Sequence, residues 1–230
     1  MSAYPFDLDG TLTDPREGIT RSIAYALERL GVAPPPLAEM EFAIGPPLRA
    51  SLARLLGTDS REMVETALAH YRERFAAVGL FENAPYAGID DALRALAATG
   101  ATLVVATSKP AIYARRIVEH FALGVHFSEV HGCELDGTRE DKRDLIAHIL
   151  PHHGFDAAHA VMIGDRGVDM RAGRHHGLAT VGALWGFGSR GELTEGGAHA
   201  LCANVRDLPA VLGRLTAART SLTRPSRSRH

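Results

Sequence analysis

The chain is almost without lysine. Of 25 Lys and Arg residues, only Lys109 and Lys142 are lysines. Against that arginine background, each retained lysine points to a position where a compact, flexible ammonium serves better than a planar guanidinium. Cysteine is also scarce. Cys133 and Cys202 form neither a CxxC nor a Cys/His spacing, which excludes a disulfide scaffold and fits two buried thiols in a reducing cytoplasm. No apolar run is long enough to span a bilayer. The start, Met1 to Pro5, has neither the basic stretch nor the apolar stretch of a signal peptide. The formal net charge is only -2, so nothing electrostatic argues for a nucleic acid polymer or a membrane surface. These absences predict a cytoplasmic protein, monomer or homodimer, whose partner is a small molecule.

What is present suits a globular enzyme. The 230 residues are 46% hydrophobic and 23% charged, enough for one core plus a smaller module. A short strand is predicted over Tyr4–Leu8. From Pro15 the apolar spacing turns helical. Ile19, Ile23, Ala26, Leu27 and Leu30 form one stripe, and Leu48, Leu52, Leu55 and Leu56 a second. A third helix, with Asp59 as its expected cap, runs through Met63, Ala67, Tyr71 and Phe75. After Pro85, helices alternate with strands near 102–106, 127–131, 160–163 and 179–181, before a last helix near Leu208–Leu215. That alternation predicts an α/β fold, a Rossmann-like parallel sheet with helices on both faces. A small all-helical cap is inserted after the first strand. The expected division is residues 1–14 and 85–218 for the core and 15–84 for the cap, with a disordered basic tail over 219–230.

The polar residues that stand at strand ends carry the chemistry. Ligands of an open parallel sheet bind outside the carboxyl ends of its strands. The first strand ends in Asp7-Leu8-Asp9-Gly10-Thr11, and residues two apart on a strand share a face. A carboxylate can act as a covalent nucleophile in phosphoryl transfer, with a second beside it as acid and base. Thr107 ends the second long strand, and Asp165 and Asp169 follow a later one. Four carboxylates at one rim repel one another, and Mg2+ with its oxygen ligands resolves this. Lys142, at a helix start, can reach the same rim and hold Asp7 and phosphoryl oxygens together. Each feature has a plainer reading. Asp7 and Asp9 can be turn formers, Thr107 a helix cap, Lys142 a solvated residue, and Asp165 with Asp169 helix-terminal charges. Lys109 can merely decorate a helix start, and Arg166 and Trp185 read as structural. The histidines invite a metal reading, but the pairs His152-His153 and His175-His176 do not face one another on a helix, so no histidine metal site is expected.

Asp7-x-Asp9-Gly10-Thr11, Thr107, Lys142 and Gly164-Asp165-x-x-x-Asp169 together resemble the four motifs of the haloacid dehalogenase superfamily. The helical block resembles its C1-type cap. Ile44-Gly45-Pro46-Pro47-Leu48-Arg49, Thr107-Ser108-Lys109-Pro110 and Glu134-Leu135-Asp136-Gly137-Thr138-Arg139 resemble the phosphoglycolate phosphatase-like branch, which includes 5'-nucleotidases. The resemblance implies a Mg2+-dependent phosphatase of a small phosphorylated metabolite, working through an aspartyl-phosphate. It implies Asp7 as nucleophile, Asp9 as acid and base, and Thr107 and Lys142 on the phosphoryl group. Asp7, Asp9, Asp165 and Asp169 are the implied metal ligands, and Gly10, Thr11, Ser108 and Arg49 the implied substrate contacts. A dehalogenase is disfavoured by Asp9. A phosphonatase is disfavoured because the cap contains no lysine. A phosphomutase, a pyrophosphatase and a non-catalytic binding module remain as alternatives.

Overall fold

The computed structural model describes residues 2–223. Among these, the main sheet has six parallel strands: β1 Ala3–Phe6, β4 Thr102–Pro110, β5 Glu129–Cys133, β6 Val161–Gly164, β7 Ala179–Ala183 and β8 Ala200–Cys202. Their order is β5-β4-β1-β6-β7-β8. The strand that carries Asp7 is thus central, flanked by those that lead to Thr107 and Asp165. A two-stranded antiparallel ribbon, β2 Thr13–Asp14 and β3 Ala84–Pro85, closes the base of the helical block. The helices are α1 Arg16–Arg29, α2 Leu48–Leu56, α3 Arg61–Arg74, α4 Ile89–Ala97, α5 Ala111–His120, α6 Lys142–His153, α7 Gly167–His175, α8 Arg190–Glu195 and α9 Leu208–Thr223. No helix among the described residues is long and apolar enough to cross a membrane.

Alternation on β4 builds two cores. Leu103 and Val105 face one side with Phe6, Ile163, Val181 and Leu93. Val104 and Ala106 face the other with Met162, Leu145, Ile146 and Ile149. Both faces are buried, as a parallel sheet requires, and each such side chain contributes roughly 1.5–3 kcal/mol. Between Ala106 and Pro110 the β4–β5 register shifts, and the irregularity carries Thr107, Ser108 and Lys109.

Several local expectations are corrected. The third helix is capped by Ser60, whose hydroxyl accepts from the Met63 amide, not by Asp59. Helix α6 does not stop at Leu150. It continues through Pro151 to His153, where Gly154 adopts the left-handed conformation that ends it. Helix α8 and strand β8 lie where only loop was expected, because three residues of Ala-Leu-Cys carry little periodicity. The first residues of the expected tail are ordered. Arg219 donates to the carbonyls of Ala158 and Gly177, and α9 runs to Thr223. The rest of that stretch lies outside the described residues.

Candidate active site

The rim at the carboxyl ends of β1, β4 and β6 gathers charge that has no equal elsewhere in the described chain. Lys142, the first residue of α6, is 4% exposed. Its ammonium lies 2.9 Å from Asp7 Oδ1 and 2.9 Å from Asp169 Oδ1, and donates to the Ala106 carbonyl at 2.8 Å. Two carboxylates and a carbonyl thus surround the ammonium. Burial by itself would lower the Lys142 ammonium, but Asp169 and Asp7 outweigh it and hold it above the ordinary lysine value. It is a permanent cation.

Asp165 and Asp169 are fully buried. Asp165 accepts from the Thr11 hydroxyl at 3.2 Å and the Phe187 amide at 2.8 Å. Asp169 Oδ2 accepts from the Arg166 amide at 3.1 Å, which closes the first turn of α7. Burial pushes Asp165 well above the usual carboxylate range, with Asp7 and Asp169 adding to the shift. Burial likewise lifts Asp169, which Lys142 partly offsets, to about 6. Gly10 sits in the left-handed region at φ 81°, and a Cβ there would come within 2.2 Å of Asp165 Oδ2. The turn after Asp7 must therefore be glycine for Asp165 to stand where it does.

Oxygens of Asp7, Asp165 and Asp169 lie within 4.8 Å of one another and could hold a metal ion. Asp169 Oδ1 accepts no aligned hydrogen bond and has only the Lys142 charge beside it. Four rim carboxylates face two ammoniums, which leaves the excess charge that one divalent cation would balance. Asp9, the fourth expected ligand, stands apart from these three. Its carboxylate does not join the other three, because Lys109 Nζ grips both oxygens, at 2.8 and 2.7 Å. Lys109 also stands 4.8 Å over the Phe75 ring. Burial raises the Asp9 carboxyl, with Lys109 the main opposing influence. Lys109 is the functional side chain that motif spacing did not single out. The scarcity of lysine was its signal.

The remaining expected contacts divide. Thr107 is buried at the rim, where its hydroxyl accepts from the Lys109 amide at 3.2 Å. Ser108 lines the adjoining cavity, with its carbonyl accepting from Cys133 Sγ. Gly10 and Thr11 are turned away from that cavity. The Gly10 amide goes to the Thr13 carbonyl and the Thr11 hydroxyl to Asp165. Arg49 borders the cavity, but its guanidinium is spanned by Glu65, at 2.6 and 3.4 Å. Arg166 and Trp185 both make contacts within the fold. Arg166 joins Glu192 and the Ile44 carbonyl of the helical block, and Trp185 donates to the Thr11 carbonyl.

The cavity encloses about 100 Å³ between rim and helical block. Asp7, Asp9 and Thr107 form its floor. Its far wall is apolar and aromatic. Tyr71 stacks on Phe75 at 5.1 Å, and Phe75 meets Tyr113 edge-on at 5.6 Å.

The raised carboxyls make stability depend on pH. A carboxyl whose folded value exceeds its unfolded one binds more protons in the folded state between the two values. Its contribution then falls as pH rises through that window, here from about 4 to about 6 for Asp169 and higher for Asp165. A divalent cation that takes the carboxylates removes this loss. Mg2+ is therefore expected to raise the melting temperature more at about pH 7.5 than at about pH 5, and Asp169→Asn to flatten the difference. Equal stabilisation at both values would contradict it.

A carboxylate-lysine rim under an enclosing helical block, on this strand order, defines a hydrolase class. The family model for haloacid dehalogenase-like hydrolases matches residues 4–183, and the chain belongs to that family. A 5'-nucleotidase of Pseudomonas aeruginosa is 49% identical over 212 residues, covering 91% of this chain and 96% of its own. The tyrosine-protein kinase PtkA of Mycobacterium tuberculosis is 40% identical, over 80% of this chain and 62% of its own. A phosphoglycolate phosphatase of Psychrobacter arcticus is 28% identical, over 79% and 83%. Among solved structures, a predicted phosphatase from Clostridium acetobutylicum superposes with a TM-score of 0.88 at 37% identity, over 93% of this chain and 98% of its own. The chain is an enzyme of the phosphatase type, a hydrolase of phosphate monoesters.

Proposed function

We propose that the chain is a Mg2+-dependent phosphatase whose substrate carries a planar, ring-bearing leaving group of the nucleoside 5'-monophosphate kind. The observation that supports the reaction is Lys142 clamped between Asp7 and Asp169. It fixes Asp7 at the rim with one oxygen tied and leaves the carboxylate facing the cavity. Asp7 attacks phosphorus, and the bond from phosphorus to the leaving oxygen breaks. Asp9 gives that oxygen a proton, then takes one from the water that cleaves the aspartyl-phosphate. Burial lifts the Asp9 carboxyl above its ordinary value, and Lys109 opposes the rise. The Thr107 hydroxyl, buried at the rim, serves the phosphoryl oxygens in this reading. Asp7, Asp165 and Asp169 would hold the Mg2+, which offsets the repulsion between carboxylate and phosphate.

The leaving group is argued from the wall opposite. Tyr71, Phe75 and Tyr113 offer ring faces and edges to a planar group. A glycolate carboxylate would instead want a cation: Arg49 is taken by Glu65, and Arg72, which also lines the cavity, donates to the Leu135 carbonyl. The similarity to the Pseudomonas 5'-nucleotidase agrees with this reading. Phosphate release should be measured for nucleoside 5'-monophosphates, phosphoglycolate, hexose phosphates and pyrophosphate, with Mg2+ and then with EDTA. The nucleotides are expected to exceed phosphoglycolate in kcat/KM by about tenfold or more, the scale of an aromatic contact. A preference for phosphoglycolate would overturn the substrate reading. Turnover unaffected by EDTA would overturn the metal.

A further inference from the structure

Away from the rim, three imidazoles converge on one carboxylate. Glu129 and His131 come from β5, while His152 and His153 come from the last turn of α6. His152 Nε2 lies 2.9 Å from Glu129 Oε2, His153 Nε2 3.6 Å and His131 Nε2 3.7 Å. His131 and His153 face each other Nε2 to Nε2 at 2.8 Å. The four ligand atoms all lie within 4.8 Å of one another. The helix explains the convergence. His148 and His152 are four residues apart and stack at 5.6 Å, which turns the histidine side of α6 toward His131. The expectation of no histidine metal site rested on the adjacent pairs and on a lack of HxxxH spacing, but His148 and His152 have that spacing and the fold gathers the side chains.

We propose that Glu129, His131, His152 and His153 form a second metal site, for a borderline divalent cation such as Zn2+, at the end of α6 opposite Lys142. Hydrogen bonding accounts for two of these contacts, His152 to Glu129 and His131 to His153, and leaves the 3.6 and 3.7 Å approaches to Glu129 unbonded. Of two Nε2 atoms that face each other, only one can carry the shared proton, and the other then has none left for Glu129. A cation gives every Nε2 lone pair the same acceptor, with each ring protonated at Nδ1. The size also fits. Zn–N and Zn–O bonds of roughly 2.0–2.2 Å set tetrahedral neighbours about 3.3–3.5 Å apart. The four measured separations, 2.8 to 3.7 Å, straddle that value. Imidazole nitrogen selects Zn2+, Ni2+ or Cu2+, whereas the all-oxygen rim suits Mg2+. The two sites would therefore sort cations by chemistry. A 12-residue helix spans about 18 Å, so they are well separated.

The test is calorimetric titration of untagged, metal-stripped protein with Zn2+, in excess Mg2+ that occupies the rim. One equivalent is expected to bind, and to persist in Asp169→Asn. His152→Ala should weaken it by more than the roughly 10–100-fold that loss of an outer-shell partner costs. The His152 side chain is 45% exposed, so this variant is expected to fold. Glu129→Gln is a second variant with the same expected direction. Co2+ in place of Zn2+ should show the intense visible bands of tetrahedral coordination, lost in both variants. Zn2+ binding that is untouched by His152→Ala and Glu129→Gln, or that vanishes only in Asp169→Asn, would overturn the proposal.

Discussion

Asp7→Asn is expected to lower kcat on every phosphate monoester by roughly four to six orders of magnitude, with the fold intact. The exchange preserves shape and leaves a carbonyl oxygen for the Leu8 amide and for Lys142. What it removes is the electron pair that attacks phosphorus. Binding and the remaining charged groups cannot replace a covalent step. Stability should hold or rise without metal, because Asp7 is one of the charges that push Asp9, Asp165 and Asp169 upward. Steady-state rates and a melting curve on the same preparation check both halves. A variant that kept more than about one per cent of the rate would move the nucleophile elsewhere.

Lys142→Met is expected to be the most damaging single change to stability. The ammonium is buried against two carboxylates and a carbonyl. Breaking a buried ion pair by removing one partner costs about 3–5 kcal/mol, because the other charge is left stranded. At about 2–4 °C per kcal/mol for a chain of this size, that is a fall of roughly 6–20 °C in Tm. The sign of its pH dependence is fixed. Without Lys142, Asp7 and Asp169 gain stability by taking protons, so the deficit should shrink as the solution is acidified and also when Mg2+ is added. A solvated helix residue would cost less than about 0.5 kcal/mol, and a deficit that small would remove Lys142 from the site.

The rim was legible in the sequence because three of its residues follow an apolar strand directly. Asp7 closes Tyr-Pro-Phe, Thr107 closes Val-Val-Ala, and Asp165 follows Met-Ile-Gly. An apolar run that ends in a polar residue shows both the strand and its exposed end. The helical block was legible from its stripes, although the short ribbon that closes its base was not, since two-residue strands leave no pattern. Side-chain partnerships lay beyond reach. Asp9 and Lys109 are 100 residues apart in sequence, and only the β4 irregularity swings Lys109 over to grip both carboxylate oxygens. Thr11 likewise finds Asp165 across 154 residues. The histidine cluster needed one more fact than its spacing, namely which strand α6 lies against.

The position of β1 has a consequence for how the molecule is made. This strand is translated before either neighbour, yet it sits between β4 and β6 and pairs with both. Residue 161 must emerge before its second edge can close. At roughly 5–20 residues per second, Phe6 and Leu8 wait on the order of ten seconds or more without the partners that will cover them. During that interval the nucleophile exists but its site does not, since Asp165 and Asp169 come later still. The nascent chain therefore presents a greasy, unpaired strand to chaperones well before it presents a working enzyme to its substrate.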